Sequence, residues 1–241
     1  PINDPTTYEI DINDILAEPL IVRHEILPYQ LLTGGGWTPL PPYCPPAFSC
    51  ITKWKNRVWA ADAADPRLLW YSQEVLPEPG GINSLPPEWN PSLTFRVDEV
   101  GRITALQSMD NMLVLFTDRG IYTITGEGAD STGQNTSLQL TQSSLGTGCI
   151  EPRSIVLTPI GIFFQSLKGL YLFSRTGGLE YLDFGANVED VVATGGNIRA
   201  ATLLEDRHEV RFVTNSAVAG GPLLLIYDYQ HDLWSTAPLA N

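Results

Sequence analysis

Apolar and β-branched residues recur along this chain in short runs, each closed by a turn residue. Met112–Thr117 and Ile121–Thr125 are two such runs, with Asp118-Arg119-Gly120 between them. The pattern predicts a hairpin in which Gly120 supplies the positive φ of a tight turn. Neither arm alternates apolar with polar, which predicts a sheet covered on both faces. The same plan returns three more times. Asn56–Ala60 leads to Leu69-Trp70-Tyr71, Gly161–Phe164 leads to Leu170-Tyr171-Leu172, and Glu209–Val213 leads to Ile226-Tyr227-Asp228. Tyr71, Tyr122, Tyr171 and Tyr227 mark the register at intervals of 51, 49 and 56 residues. A repeat of this length made of strands is the signature of propeller blades.

The expected fold is therefore all-β: a β-propeller, or part of one, built of repeated four-stranded antiparallel blades. A sandwich of similar strands is the alternative. The first unit is read as Ile51–Trp54, Arg57–Asp62, Arg67–Gln73 and Leu93–Val97, interrupted by a loop with five prolines. The second is Ile103–Ser108, Met112–Thr117, Gly120–Thr125 and Ser137–Gln142. The third is Ser154–Thr158, Gly161–Ser166, Leu170–Ser174 and Leu179–Leu182. The fourth is Ile198–Leu204, Glu209–Thr214, Leu223–Tyr229 and Leu233–Thr236. The four tyrosines are expected at equivalent positions in successive sheets. Phe163, Phe164, Leu170 and Leu172 are expected to be buried between sheets. Val188–Ala193 hints at a helical turn.

Residues 1–50 read differently, as an N-terminal extension and Pro-rich linker before a propeller domain over 51–241. Tyr8–Ile12 and Leu20–Leu27 each have strand character. Gly34-Gly35-Gly36 and five prolines between Pro39 and Pro46 then argue for an extended linker or a loop laid on a surface. The chain opens on Pro1 with no charged-then-apolar leader, which reads as a fragment of something longer.

Composition narrows the function. Hydrophobic residues make up 43% of the 241 residues and charged residues 17%, which fits a folded chain with much packed surface. No apolar run reaches the roughly 18 residues of a membrane helix, so no membrane insertion is expected. The net charge of −13 argues against binding nucleic acid through its phosphates. Cys44, Cys50 and Cys149 form no metal-binding spacing and read as free thiols in a reducing compartment. A Cys44–Cys50 bridge would require the Pro-rich loop to fold back.

The chemistry-bearing residues do not assemble into a catalytic pattern. There is no GxSxG elbow, no phosphate-binding GxxxxGK[ST] loop, no HExxH and no EF-hand loop. Gly146-Thr147-Gly148 has no following helix and reads as a turn. His24, His208 and His231 lie far apart in sequence. The Gly126–Asn135 loop carries Glu127 and Asp130, which could hold a cation but suit a solvated connection better. Asp62/Asp65 and Glu189/Asp190 read as surface carboxylates. Trp54, Trp59, Trp70 and Trp234 fall in predicted strands, where core packing suits them better than sugar stacking. No catalytic, cofactor-binding or metal-binding residue is assigned.

Several stretches, taken in order, resemble the tail nozzle (tail tubular B, or stabilisation) proteins and related tail-hub proteins of short-tailed bacteriophages. They are Lys55–Ala60, Leu69–Ser72, Ile103–Leu106, and Leu113–Phe116 with Gly120-Ile121-Tyr122. Further on come Gly148–Ser154, Phe163–Ser166 with Lys168–Tyr171, and Leu225–Tyr229 with Leu233-Trp234-Ser235. The resemblance covers roughly Ile51 to Thr236 and does not extend to the region before Ile51. It implies a β-propeller-bearing structural protein of the virion tail, assembled in the host cytoplasm as a ring of copies through which DNA is ejected. It implies contact with neighbouring tail proteins (adaptor, fibre or tip), no specific DNA binding, no enzyme activity and no cofactor.

A DNA conduit should repel phosphates, and its channel face is expected to carry mainly acidic and polar groups. Candidates at predicted blade ends are Asp98, Glu99, Glu127, Asp130, Glu189 and Asp190. Two other readings compete. A glycan-binding or glycan-hydrolysing propeller would need converging aromatics and carboxylates, and the sialidase-type SxDxGxTW box is absent. A cellular protein-interaction propeller of WD40 or kelch type would need repeat signatures that this chain lacks.

Overall fold

A computed structural model describes residues 29–31, 37–39, 47–74, 89, 91–97, 101–128, 136–182, 188, 191, 196–216 and 221–239. A short hairpin comes first, β1 (Tyr29–Leu31) paired with β2 (Trp37–Pro39). Four antiparallel four-stranded sheets follow. Sheet I holds β3 (Phe48–Trp54), β4 (Arg57–Asp62), β5 (Leu68–Tyr71) and β6 (Thr94–Arg96). Sheet II holds β7 (Ile103–Met109), β8 (Met112–Thr117), β9 (Gly120–Thr125) and β10 (Gln139–Leu145). Sheet III holds β11 (Glu151–Leu157), β12 (Gly161–Ser166), β13 (Gly169–Ser174) and β14 (Leu179–Tyr181). Sheet IV holds β15 (Ile198–Leu204), β16 (Glu209–Ser216), β17 (Gly221–Asp228) and β18 (Leu233–Pro238), with a single 3-10 turn at Glu205–Arg207.

Each sheet is a plain meander in chain order, as a blade is. The first strands approach one another in sequence, β3 on β7, β7 on β11 and β11 on β15. They form an inner rim, and the fourth strands lie outside. The all-β, propeller-like arrangement is thus the one expected. A bulge interrupts the pairing of first and second strands in every sheet. It increases local twist where the inner strands crowd together.

Three apolar cores lie between successive sheets. Trp59, Leu69 and Tyr71 of sheet I meet Leu113, Leu115 and Tyr122 of sheet II. Val114, Phe116 and Ile121 of sheet II meet Ile162, Phe164 and Tyr171 of sheet III. Phe163, Leu170 and Leu172 of sheet III meet Val210, Phe212, Leu225 and Tyr227 of sheet IV. Burying each such side chain is worth about 1.5–3 kcal/mol. The expected burial of Phe163, Phe164, Leu170 and Leu172 is observed.

Sheets II and III are covered on both faces, and every residue of β12 is buried. Among the described residues, only one face of sheet IV joins a core. Along β17 buried and half-buried residues alternate, although Leu223–Tyr227 is continuously apolar in sequence.

The four tyrosines stand in the third strands of four different sheets, as expected. They do not all face the same way. Tyr122, Tyr171 and Tyr227 each point to the preceding sheet, whereas Tyr71 points to the following one. The side-chain period of two makes a one-residue offset reverse the face. Within Leu69-Trp70-Tyr71 it is Trp70 that takes the other face.

Gly120 also departs from expectation. Its φ is not positive. A Cβ there would come 2.6 Å from the Ser144 carbonyl oxygen, so close approach of β10 is what requires glycine. Thr117 closes the turn instead, its hydroxyl oxygen accepting from the Gly120 amide at 2.9 Å. Positive φ is taken by Lys55 and Asn56 between β3 and β4, as a two-residue type I′ turn demands.

The boundaries shift slightly. The first blade strand begins at Phe48 rather than Ile51, and the β1–β2 hairpin lies within the stretch read as linker. Pro39 ends β2, a position a proline tolerates. The strands expected over Tyr8–Ile12 and Leu20–Leu27 lie outside the described residues, as does most of Val188–Ala193. There the Val191 amide donates to the Val188 carbonyl.

The outer rim is uneven. β6 and β14 have three residues each, and β18 ends in Pro238. β10 is longer, with seven residues, Gln139-Leu140-Thr141-Gln142-Ser143-Ser144-Leu145, none charged and none proline.

Candidate functional site

Turns and connections between blades carry most of the polar chemistry, and local hydrogen bonding explains much of it. Asp62 is buried where β4 ends. Its Oδ1 accepts from the amides of Ala64 and Asp65 at 2.7 and 3.1 Å, and its Oδ2 accepts from the Trp70 indole at 3.1 Å. Asp65 pairs with Arg96 at 2.6 Å, and that hydrogen bond holds its carboxyl below the ordinary value. The Asp62/Asp65 pair thus shapes the β4–β5 turn.

Charged clips join neighbouring blades. Lys55 Nζ, at the β3–β4 turn of sheet I, donates to the Gly126 carbonyl at 2.8 Å and to Glu127 Oε1 at 2.6 Å in sheet II. Arg175, after β13 of sheet III, pairs with Asp110 of sheet II and donates to the carbonyls of Pro159 and Thr158. Glu127 is therefore spoken for by a lysine. Asp98, Glu99, Asp130, Glu189 and Asp190, the other expected channel acids, lie outside the described residues.

The inner rim has a composition not anticipated for a phosphate-repelling wall. Its first strands carry Lys53, Arg153 and Arg199 against a single carboxylate, Glu151. The acidic excess of the chain is carried elsewhere.

His208 and His231 each have their own partner, and His24 lies outside the described residues. His208 takes a left-handed backbone after the 3-10 turn, and its Nδ1 lies 3.3 Å from the Tyr229 hydroxyl. His231 Nδ1 lies 2.8 Å from Asp228 Oδ2, and this contact holds the Asp228 carboxyl below its ordinary value. Among the described residues, no group of three or more His, Cys, Asp or Glu is placed to hold a metal ion.

Cys50 and Cys149 are free. Burial pushes both thiols up, Cys149 to about 12, so neither is a ready nucleophile. Cys44 lies outside the described residues. Trp54 and Trp59 are buried in the core between sheets I and II, as read from sequence. Trp70 and Trp234 are half-buried, with their indole N–H groups donating to Asp62 and to the Leu182 carbonyl. Tyr227 donates to Asp232 at 2.8 Å; burial first, then that carboxylate, raises the phenol above its ordinary value.

The best-built polar feature is the junction of sheets III and IV. Gln165 is buried on β12, where its Nε2 donates to the Gly196 carbonyl at 3.0 Å and its Oε1 accepts from the Ile198 amide at 2.9 Å. Its own amide donates to Ser154 Oγ at 2.7 Å. A lone glutamine in an apolar run signals such a role, but its partners 31 and 33 residues away are not readable from sequence. These contacts hold the described part of the third sheet to the strand that opens the fourth.

No family model and no curated protein matches the sequence. Solved structures show distant likeness. A Bacteroides fragilis protein inferred to be exported is 12% identical, with a TM-score of 0.42 over 79% of this chain and 58% of its own. This chain thus spans little more than half the length of that protein. The computationally designed Ika4 protein is 14% identical, with a TM-score of 0.36 over 81% of this chain and 92% of its own. The designed Ika8 protein is 11% identical, with a TM-score of 0.32 over 79% and 61%. Likeness at this level carries no argument about what the chain does.

Proposed function

We propose that this chain is a structural subunit of a bacteriophage tail, part of a ring-shaped nozzle or hub through which DNA is ejected. The observation that carries the reading is the ordered series of stretches resembling tail nozzle proteins, which falls on strands and connections of four successive sheets. The −13 net charge supports it, since a polyanion must pass without sticking. In this reading DNA runs through the ring of copies, since the described first strands carry three cations against one carboxylate and would hold a polyanion. In this reading the protein has no catalytic step, and its partners are further copies and neighbouring tail proteins.

Immunogold labelling of virions of the encoding phage tests this, using an antibody raised against the chain. Gold at the tail supports the proposal. Label confined to capsids, or virions bare of label, overturns it. Saccharide binding by the purified chain on a glycan array would favour the competing sugar-binding propeller.

A further inference from the structure

Each first strand carries, at one level of the inner rim, a residue that drops out of the ladder with the second strand. In sheet I it is Ser49, between the pairs Phe48–Asp62 and Cys50–Ala61. In sheet II it is Thr104, between Ile103–Thr117 and Ala105–Phe116. In sheet IV it is Arg199, between Ile198–Thr214 and Ala200–Val213. Sheet III is irregular from Glu151 to Val156, and Arg153 holds the equivalent place. It precedes Ser154, whose Oγ accepts from the Gln165 amide, and Gln165 is the fifth residue of its strand, as Ala61, Phe116 and Val213 are of theirs.

The four places are used in two ways. Ser49 Oγ donates to the Ala61 carbonyl at 3.4 Å and Thr104 Oγ1 to the Phe116 carbonyl at 3.3 Å, so each hydroxyl folds back on its own sheet. Arg153 and Arg199 are exposed, and among the described residues neither guanidinium has an ion pair or a hydrogen bond. Glu151, the one carboxylate of the first strands, is turned to the backbone, its Oε1 accepting from the Arg153 amide at 3.3 Å. Gln165 ties the two places together. Its amide reaches Ser154, next to Arg153, and its side-chain oxygen holds the Ile198 amide, next to Arg199. A buried side chain thus keeps two cations on adjoining inner strands, in a chain whose net charge is −13. Like charges so placed repel, and among the described residues no group offsets them.

We propose that Arg153 and Arg199 together bind one small phosphate-type oxyanion at the inner rim between sheets III and IV. A guanidinium presents a planar fork of donors that matches two oxygens of such an anion, and two guanidiniums match its double charge. The rest of the chain selects for size. A single phosphate reaches the rim against less repulsion from the acidic surface than a polyanion meets. Gln165 is a positioning residue for the pair, and Ser49 and Thr104 take no part. The site goes beyond the tail reading and does not depend on it, because it concerns the isolated chain.

Titration calorimetry of the purified chain with inorganic phosphate, at ionic strength held constant with chloride, decides it. One site is expected, with a Kd on the order of 1 mM. The melting temperature should rise by about 4–7 °C when phosphate is in roughly twentyfold excess over that Kd. Arg153→Gln and Arg199→Gln should each raise Kd about tenfold. Both positions are exposed, so in phosphate-free buffer each variant should melt at or above the temperature of the native sequence. Lys53→Gln, on the same rim but four residues beyond Ser49, should leave Kd unchanged. Four results would each overturn the proposal: no saturable binding by heat or by melting shift, a Kd unchanged in both arginine variants, a Kd raised equally by Lys53→Gln, or displacement of phosphate by a micromolar duplex oligonucleotide.

Discussion

Gln165 of the third sheet holds the backbone of Ile198 in the fourth: its side-chain oxygen accepts the Ile198 amide proton at 2.9 Å inside the protein. The same side chain satisfies the carbonyl of Gly196, so one amide docks the strand that opens the last blade. Gln165→Leu would leave both backbone groups buried without a partner. A loss of about 1–3 kcal/mol for each unsatisfied group is expected. Urea denaturation gives the size, and faster hydrogen exchange at Ile198 than at Ile162 would localise it.

Phe164 fills the core between the second and third sheets with no exposed surface. Its ring sits 5.8 Å from that of Tyr171 as well as against Phe116. Phe164→Ala should cost about 3–5 kcal/mol, part transfer and part cavity. Leu167→Ala, at a hairpin tip where the side chain is 80% exposed, should cost under about 0.5 kcal/mol. Thermal melts of the two variants side by side check the contrast.

Alkali should destabilise the fold through Cys149. Its thiol is pushed up to about 12 from an ordinary value near 9, chiefly by burial. Above the ordinary value the unfolded chain releases the proton while the folded chain keeps it. The unfolded state then binds fewer protons, so stability falls as pH rises. The contribution is whole below about pH 9 and is lost towards pH 12. The limiting slope is about 1.4 kcal/mol per pH unit. Denaturation between pH 8 and pH 11 should show a steeper decline for the native sequence than for Cys149→Ala. Equal slopes would mean the thiol meets water in the fold.

Duplex DNA should not bind the chain at physiological salt. With 27 acidic against 14 basic residues, repulsion of the phosphates acts at close approach, within the roughly 8 Å Debye length. The three cations of the inner rim are the place where this could fail. Fluorescence anisotropy with a labelled duplex is the measurement. Micromolar affinity that weakens steeply with salt would expose a basic track and sink the conduit reading.

The strands were legible because turn chemistry and apolar runs coincide. The ranges of β4, β8, β9, β12 and β15 match the sequence reading residue for residue. Facing was less legible. Val58-Trp59-Ala60-Ala61 and Leu68-Leu69-Trp70 have no polar residue to mark parity, so the reversal of Tyr71 could not be seen. Likewise Leu223–Tyr227 reads as doubly covered, yet alternates in burial, because among the described residues only one face of its sheet joins a core. The role of Gly120 was mistaken because a glycine in a turn can answer either a dihedral or a lack of room. The Gln165 junction depends on contacts more than thirty residues apart, and no local pattern encodes those.

The uncharged outer strand β10 has a practical consequence for handling the protein. Among the described residues no strand pairs with the outer side of β10, and an edge of this length offers a row of amides and carbonyls that an extended chain can join, with neither lysine nor proline to block it. Concentrated stocks should therefore turn cloudy through sheet-to-sheet templating, and the turbidity should bind thioflavin T. Thr141→Lys, an exposed change on that strand, should delay the lag phase severalfold and leave the melting temperature unchanged. A crystallographer or vaccine formulator would begin with that one substitution.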